Sequence, residues 1–312
     1  MSQGDDVHFY DRFTKSEDGI YKRILKNEKN VEAAIKVYDK TIKEDPVVQR
    51  GKNYNAGQQD LQTGDDPFGL NESTVIRNWE ANGITAVSPP DPVSATGPNH
   101  VVNMVNTSGG SWIKIFDKNG NTLVNNVLFS NIHAVAGAAG DPIVLYDKFA
   151  DRWFLSEFTS TNPYKLVIAI SKTNDPTGQY YVYSYAFGIN FPDYPKFTVW
   201  PNAYYGTANI FPNLGAYSGS QIYAFNRAKM LAGDATAELV AVSLTDPATN
   251  RYYSMSPVGY QAGTSPAANA PGMFMYLHPE EWSAATTDVD SVGFITLNPN
   301  FTTPAASTVT IG

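Results

Sequence analysis

DPVSATGPNHVVNMVN (residues 91–106), DPIVLYDKFADRWFLSEF (141–158) and DYPKFTVWPNAYYGTANIF (193–211) open three successive segments of this 312-residue chain. Each begins at an aspartate, Asp91, Asp141 and Asp193, and the intervals are 50 and 52 residues. A period near fifty filled with short strands is the signature of a propeller or solenoid unit. The second segment reads as four strands at 142–147, 153–159, 165–171 and 179–187, separated by turn residues. Four strands joined by tight turns is the content of one propeller blade.

The same reading extends on both sides. The third segment gives strands at 196–200, 203–211, 220–226 and 237–244, with RAKMLAGDAT (227–236) as a longer, partly helical turn. The first gives 100–106, 111–117 and 122–129, the last two joined through Asn119-Gly120, a strong hairpin signal. A fourth, degraded unit is expected from strands at 272–278, 291–298 and 307–312 behind a head AANAPG (266–271) that lacks the aspartate. TVIRNWEA (74–81) is a candidate strand that could close the ring. Without it the ring is expected to be incomplete, as in a piece of a longer protein. The expected class is all-β, a β-propeller of four-stranded blades over residues 76–312, with three clear blades from 91, 141 and 193.

The first 75 residues differ in kind. Residues 1–52 hold 11 Lys/Arg and 10 Asp/Glu, half of the basic and a third of the acidic residues of the whole chain. Residues 1–50 are expected to be a charged helical extension. Within it, Ile20, Ile24, Val31, Ala34, Ile35, Tyr38 and Ile42 fall mainly at three- and four-residue steps, which suits an amphipathic helix covering part of the β body. Residues 51–75 read as a linker rich in Gly, Asn, Gln and Asp.

The acidic balance, net −8, argues against nucleic acid, which needs clustered Lys and Arg. The absence of cysteine excludes disulfides and thiolate metal sites. No apolar run approaches the roughly 20 residues of a membrane helix, and no leader peptide is visible at the start. The sparse charge and high aromatic content of the body suit an exported protein, extracellular or at the cell surface, whose leader has been removed.

Five ordered motifs carry a family resemblance: PPDPVSATGPNHVVNMVN (89–106), GDPIVLYDKFADRWFLSEF (140–158), ISKTNDPTGQYYVYSYAF (170–187), FPDYPKFTVWPNAYYGTANIF (191–211) and YAFNRAKMLAG (223–233). Over residues 76–235 the chain resembles a group of secreted, largely uncharacterised bacterial β-propeller-like proteins. The resemblance implies export and a propeller-like fold. It brings no catalytic set with it. GDPIVLYD and SKTNDPTGQYY also resemble, loosely, the blade starts and turns of five-bladed furanosidase-type glycosidases. Asp175 and Gly178 resemble part of the aspartate box of sialidase-like propellers, a structural brace with Tyr here in place of Trp.

Two readings of Asp91, Asp141 and Asp193 stay open. The innermost strands of a propeller line its channel, so carboxylates heading successive blades could converge there, with Glu157 as a further candidate, and bind a cation or divide acid and base roles in glycoside hydrolysis. Each could instead cap a tight turn by accepting backbone N–H bonds beside a proline. For ligand binding the candidates are Trp200, Tyr204 and Tyr205 around one turn, as flat faces for sugar rings, and His100, nine residues after the first aspartate. Tyr181, Tyr183 and Tyr185 share one strand face, read as packing between blades. Asp117, Asn119 and Asn121 alternate as a loop that could take Ca²⁺. They lack the closing glutamate of an EF-hand, so a hairpin turn is the better reading. No resident metal and no cofactor is expected. The reading that composition and motifs favour is an exported binding module at the cell surface, with a glycan or a surface protein as partner. Its alternatives are a glycoside hydrolase or a structural segment of a larger assembly.

Overall fold

Period-two alternation of apolar residues, punctuated by Gly, Pro, Asn and Asp, makes this chain fold as antiparallel sheets. The computed structural model describes residues 79–83, 85, 87–245, 251–260, 266–278 and 291–312. Among them are four sheets, each of four strands hydrogen-bonded in chain order. The first blade is β1 (Val93–Thr96), β2 (His100–Thr107), β3 (Gly110–Asp117) and β4 (Thr122–Leu128). The second is β5 (Ala138–Asp147), β6 (Arg152–Thr159), β7 (Lys165–Ser171) and β8 (Tyr180–Ala186). The third is β9 (Asn190–Val199), β10 (Tyr204–Pro212), β11 (Gly219–Phe225) and β12 (Leu239–Leu244). The fourth is β13 (Ser256–Pro257), β14 (Gly272–His278), β15 (Ser291–Asn298) and β16 (Thr308–Ile311). This is the all-β, propeller-like repeat that the fifty-residue period predicts.

Sequence reasoning missed β1 and β13, the short first strands of the outer two blades. VSAT and Ser-Pro are too short and too polar to register as strands, and their partners in the sheet define them. The fourth blade also begins earlier than expected. Ser254, in the left-handed region at φ 57°, stands where the other blades carry an aspartate. Its amide donates to Asn209 Oδ1 at 2.9 Å, just as the Asp141 amide donates to Asn106 Oδ1 at 2.7 Å. The head is therefore Ser254 and not AANAPG, and it does lack the carboxylate. The helical extension, the linker and most of the 74–81 candidate strand lie outside the described residues. Trp79–Ala81, its described part, carries no strand, and the Trp79 ring packs 5.9 Å from Phe116.

Aromatic side chains fill the space between sheets. Phe154, Phe158, Ile168, Tyr204, Phe211, Tyr223 and Phe225 form a buried cluster shared by the second and third blades. Matching clusters join the first to the second and the third to the fourth. Each such fully buried ring is worth about 1.5–3 kcal/mol, so the faces between blades, rather than any single sheet, hold the molecule together. Tyr183 donates its hydroxyl to Met230 O at 2.8 Å and Tyr185 to Ala237 O at 3.1 Å. The tyrosine face of β8 is thus an inter-blade contact, as expected. Its partner is α1 (Arg227–Ala232), capped at its start by Asn226, whose side chain accepts the Lys229 amide, and ended by Gly233 at φ 73°.

The same seam holds a buried ion pair. Arg227 grips Asp147 through Nε and Nη2 at 2.7 and 2.9 Å. Tyr204 donates to the same carboxylate at 2.8 Å, and the amides of Phe149 and Ala150 complete it. Removing one partner of such a pair strands a buried charge. Arg227→Met is expected to lower stability by about 3–5 kcal/mol in urea denaturation, and Asp147→Leu added to it should recover most of the loss. An unchanged midpoint for the single variant would mean that the pair does not bind the two blades.

Candidate functional site

The first strand of each blade faces the common axis. β5 packs against β1 on one side and β9 on the other, and β9 against β13. β1, β5 and β9, with the segment that follows β13, line a cavity of about 450 Å³, through Ser94–Thr96, Val144–Tyr146, Phe197–Val199 and Gly259–Tyr260. The strands meet this cavity a matching three to six residues after their heads. All three aspartates therefore lie at one end of the channel, about 10 Å from the cavity at the rise of a β-strand.

Backbone geometry aims them. Asp91 and Asp141 are left-handed, at φ 39° and 48°, and in the third blade the residue after Asp193, Tyr194, is left-handed at 51°. Register shifts interrupt β5–β6 around Asp141 and β9–β10 around Asp193. Bulges of this kind turn a side chain out of its normal alternation. Aspartate tolerates the left-handed region because its short polar side chain can bond locally, and the proline behind each head fixes the strand that follows.

The three heads are brought together. Asn106, wholly buried on β2, donates Nδ2 to Asp91 Oδ2 at 3.0 Å and to Pro89 O at 3.2 Å. Its Oδ1 accepts the Asp141 amide, and so it ties the first two heads. Asp141 lies close enough to Asp91 to oppose the effect of burial on its carboxyl. Asp193 accepts the Tyr194 amide at 2.9 Å. Lys196 lies within the field of all three carboxylates. Its Nζ is 3.2 Å from the centre of the Tyr194 ring and 3.4 Å from Pro195 O.

Burial governs the protonation of this cluster. It pushes Asp193 up from 3.8 to about 6, with the charge of Asp91 adding to the rise and Lys196 and the Tyr194 amide opposing it. Asp91 is raised by burial too, against Asp141, Lys196 and Asn106. Burial draws Lys196 down more than the three carboxylates draw it up. The mouth thus holds two carboxyls whose proton affinity burial raises, a pattern that marks functional sites.

Other predicted site residues lie elsewhere. Trp200, Tyr204 and Tyr205 are buried and offer no open face to a sugar. Tyr204 belongs to the Asp147 network, Trp200 Nε1 donates to Val258 O at 3.0 Å, and Tyr205 packs on Phe274. Large aromatic rings supply apolar area for the blade seams, which is where the fold uses them. His100 starts β2, six residues and about 20 Å from Asn106, and stands 4.0 Å from Asp175. Glu157 occupies the position on β6 opposite the second head, and its carboxylate is engaged by the first blade and His133. It is fully buried and bonds Ser111 Oγ at 2.8 Å and His133 Nε2 at 2.6 Å, joining the first blade to the second. The Asp117 carboxylate is taken up by the amides of Asn119 and Asn121 and by Asn121 Nδ2, a hairpin turn. Asp175 likewise braces its own turn through Thr177. Among the described residues no group of three or more His, Asp or Glu could hold a metal ion.

Sequence reasoning missed Asn106, Tyr194 and Lys196. One signal was present. The first two heads read Asp-Pro, whereas the third reads Asp193-Tyr194-Pro195-Lys196, with a residue inserted between aspartate and proline.

No family model matches the chain, and no curated protein matches it. Among solved structures it is similar to the GH43 endo-arabinanase of Bacillus licheniformis, with 11% identity over 72% of this chain and 92% of that one, at a TM-score of 0.37. It is also similar to the α-L-arabinofuranosidase of Fusarium graminearum, with 11% identity over 68% of this chain and 70% of that one, at 0.34. An endo-1,4-β-xylanase of Bacteroides thetaiotaomicron shows 12% identity over 72% and 94% of the respective chains, at 0.24. At this level of likeness the comparison carries no argument about the site.

The raised carboxyl has a thermodynamic consequence. The native state binds the Asp193 proton more tightly than the unfolded chain does, so this group's contribution to stability is greatest below 3.8. It falls as pH rises to about 6 and is then constant. Asp193→Asn keeps the acceptor for the Tyr194 amide and removes the charge. Urea denaturation should show the variant about 1–3 kcal/mol more stable than the parent at pH 7.5 and nearly equal to it at pH 4. The same difference at both values would contradict the raised proton affinity.

Proposed function

We propose that this chain is a glycoside hydrolase whose reacting groups are the head carboxylates of its first three blades. The observation that carries the proposal is the convergence of Asp91, Asp141 and Asp193 around Lys196, with Asp193 holding its proton to about 6. A surface that only binds has no need of a carboxyl that keeps its proton to about 6, whereas glycoside hydrolysis needs one protonated and one ionised carboxyl in reach of the same bond.

Asp193 is the general acid. Below about pH 6 it holds a proton, and it gives that proton to the glycosidic oxygen as the bond to the leaving sugar breaks. Asp91 and Asp141 act together as the second carboxyl. Asn106 ties the two heads together, so that an ionised carboxylate faces the sugar carbon or the attacking water. Lys196 offsets the charge of the ionised pair, so that Asp193 is not driven still higher. Export of the chain, with extracellular glycans as substrates, belongs to the same proposal and is supported by the sparse charge of the propeller.

Hydrolysis of neutral polysaccharides, followed by release of reducing ends, tests the reading. The pH dependence of kcat/KM should be bell-shaped, with its alkaline limb near 6 from Asp193 and its acid limb from Asp91. Asp193→Asn should lower kcat about 10²–10⁴-fold. Glycan binding without hydrolysis in the parent, or full activity in the Asp193 variant, would return the chain to the binding-module reading.

A further inference from the structure

We propose that Tyr194 is the platform on which the site lays its substrate, and that this substrate is a neutral sugar. The proposal rests on the hydrolase reading above. Four independent features single out this side chain. It is the residue inserted between aspartate and proline in the third head. It lies at the mouth and stays 49% exposed, while the aromatic rings of the blade seams are buried. Its backbone is left-handed at φ 51°, a conformation that a bulky residue adopts only under strain and that is retained where surrounding structure enforces it. Its hydroxyl lies in the field of Asp91, Asp141 and Asp193 together, and the residue directly follows Asp193 in the chain.

A half-exposed ring has a flat apolar face for the C–H side of a sugar. Lys196, 3.2 Å from the ring centre, steadies it by a cation–π contact, and about half of the residue stays exposed. The ligand class follows from charge. Three carboxyls surround one ammonium, so a sugar carrying its own carboxylate meets net repulsion, and the ammonium that would welcome it is already engaged. A neutral glycoside meets neither penalty.

The test compares the parent with Tyr194→Ala and Tyr194→Phe on debranched arabinan, xylan and β-glucan, with polygalacturonate as the anionic counterpart. On whichever neutral glycan is hydrolysed, Tyr194→Ala should raise KM about tenfold with kcat little changed, and Tyr194→Phe should match the parent. The pH profile should not move, and polygalacturonate should be neither cleaved nor bound. Tyr194→Gly, which relieves the left-handed backbone, should melt no lower than the parent, so that lost binding is not lost folding. An unchanged KM for Tyr194→Ala overturns the proposal. So does a shifted pH profile at constant KM, which would mean that Tyr194 acts only through Lys196. Preferential cleavage of polygalacturonate overturns the neutral-sugar assignment. If the parent cleaves nothing, the hydrolase reading fails by itself. Retardation in gels cast with the same neutral glycans then decides the platform: loss in Tyr194→Ala supports it, and no retardation of the parent overturns it.

Discussion

Three carboxyls at one narrow mouth are the constraint around which this structure is arranged. Carboxylates crowded together repel one another and lose water, and either effect alone would push the strands apart or protonate the groups. The fold answers with one ammonium, Lys196, and one buried amide, Asn106, and by leaving Asp193 protonated through the acidic range. The heads could sit elsewhere only if the bulges at their strands were absent. Those bulges depend in turn on the sheets behind them.

What holds the sheets is apolar. Rings from neighbouring blades interleave at each seam, and the buried Arg227–Asp147 pair pins the second blade to the third. Rigid seams matter to the site because the three aspartates belong to three different sheets. Their mutual geometry is only as exact as the packing between blades, and for the proposed hydrolysis a shift of about an ångström would cost the reaction dearly. Buried aromatic residues far from the mouth, Tyr204 among them, thereby serve the site without touching it.

Much of this was legible in the sequence, and the failures have physical causes. The fifty-residue spacing of Asp91, Asp141 and Asp193 counted the blades, and alternation placed the long strands to within a few residues. β1 and β13 escaped because they have almost no periodicity of their own and exist by pairing with β2 and β14. Ser254 escaped because a serine can take the head position when Asn209 holds its amide. The convergence of the aspartates was one of two open readings, since a repeated residue at a repeated turn predicts capping equally well. The capping contact is visible at Asp193, which accepts the amide of Tyr194. Trp200, Tyr204 and Tyr205 misled because composition cannot tell a buried ring from an exposed one. The exposed ring was Tyr194, one residue from a predicted site and visible only as an insertion.

The claim on which everything else depends is that the three carboxyls share one electrostatic environment. Aspartate side-chain carbonyl carbons labelled with ¹³C report each proton directly as pH is varied. The account predicts that Asp193 titrates near 6 and Asp91 above the ordinary 3.8, and that Asn at position 193 alters the titration of Asp91. Independent titration of Asp91 and Asp193 below 4, untouched by that substitution, would contradict it and reduce the heads to separate turns.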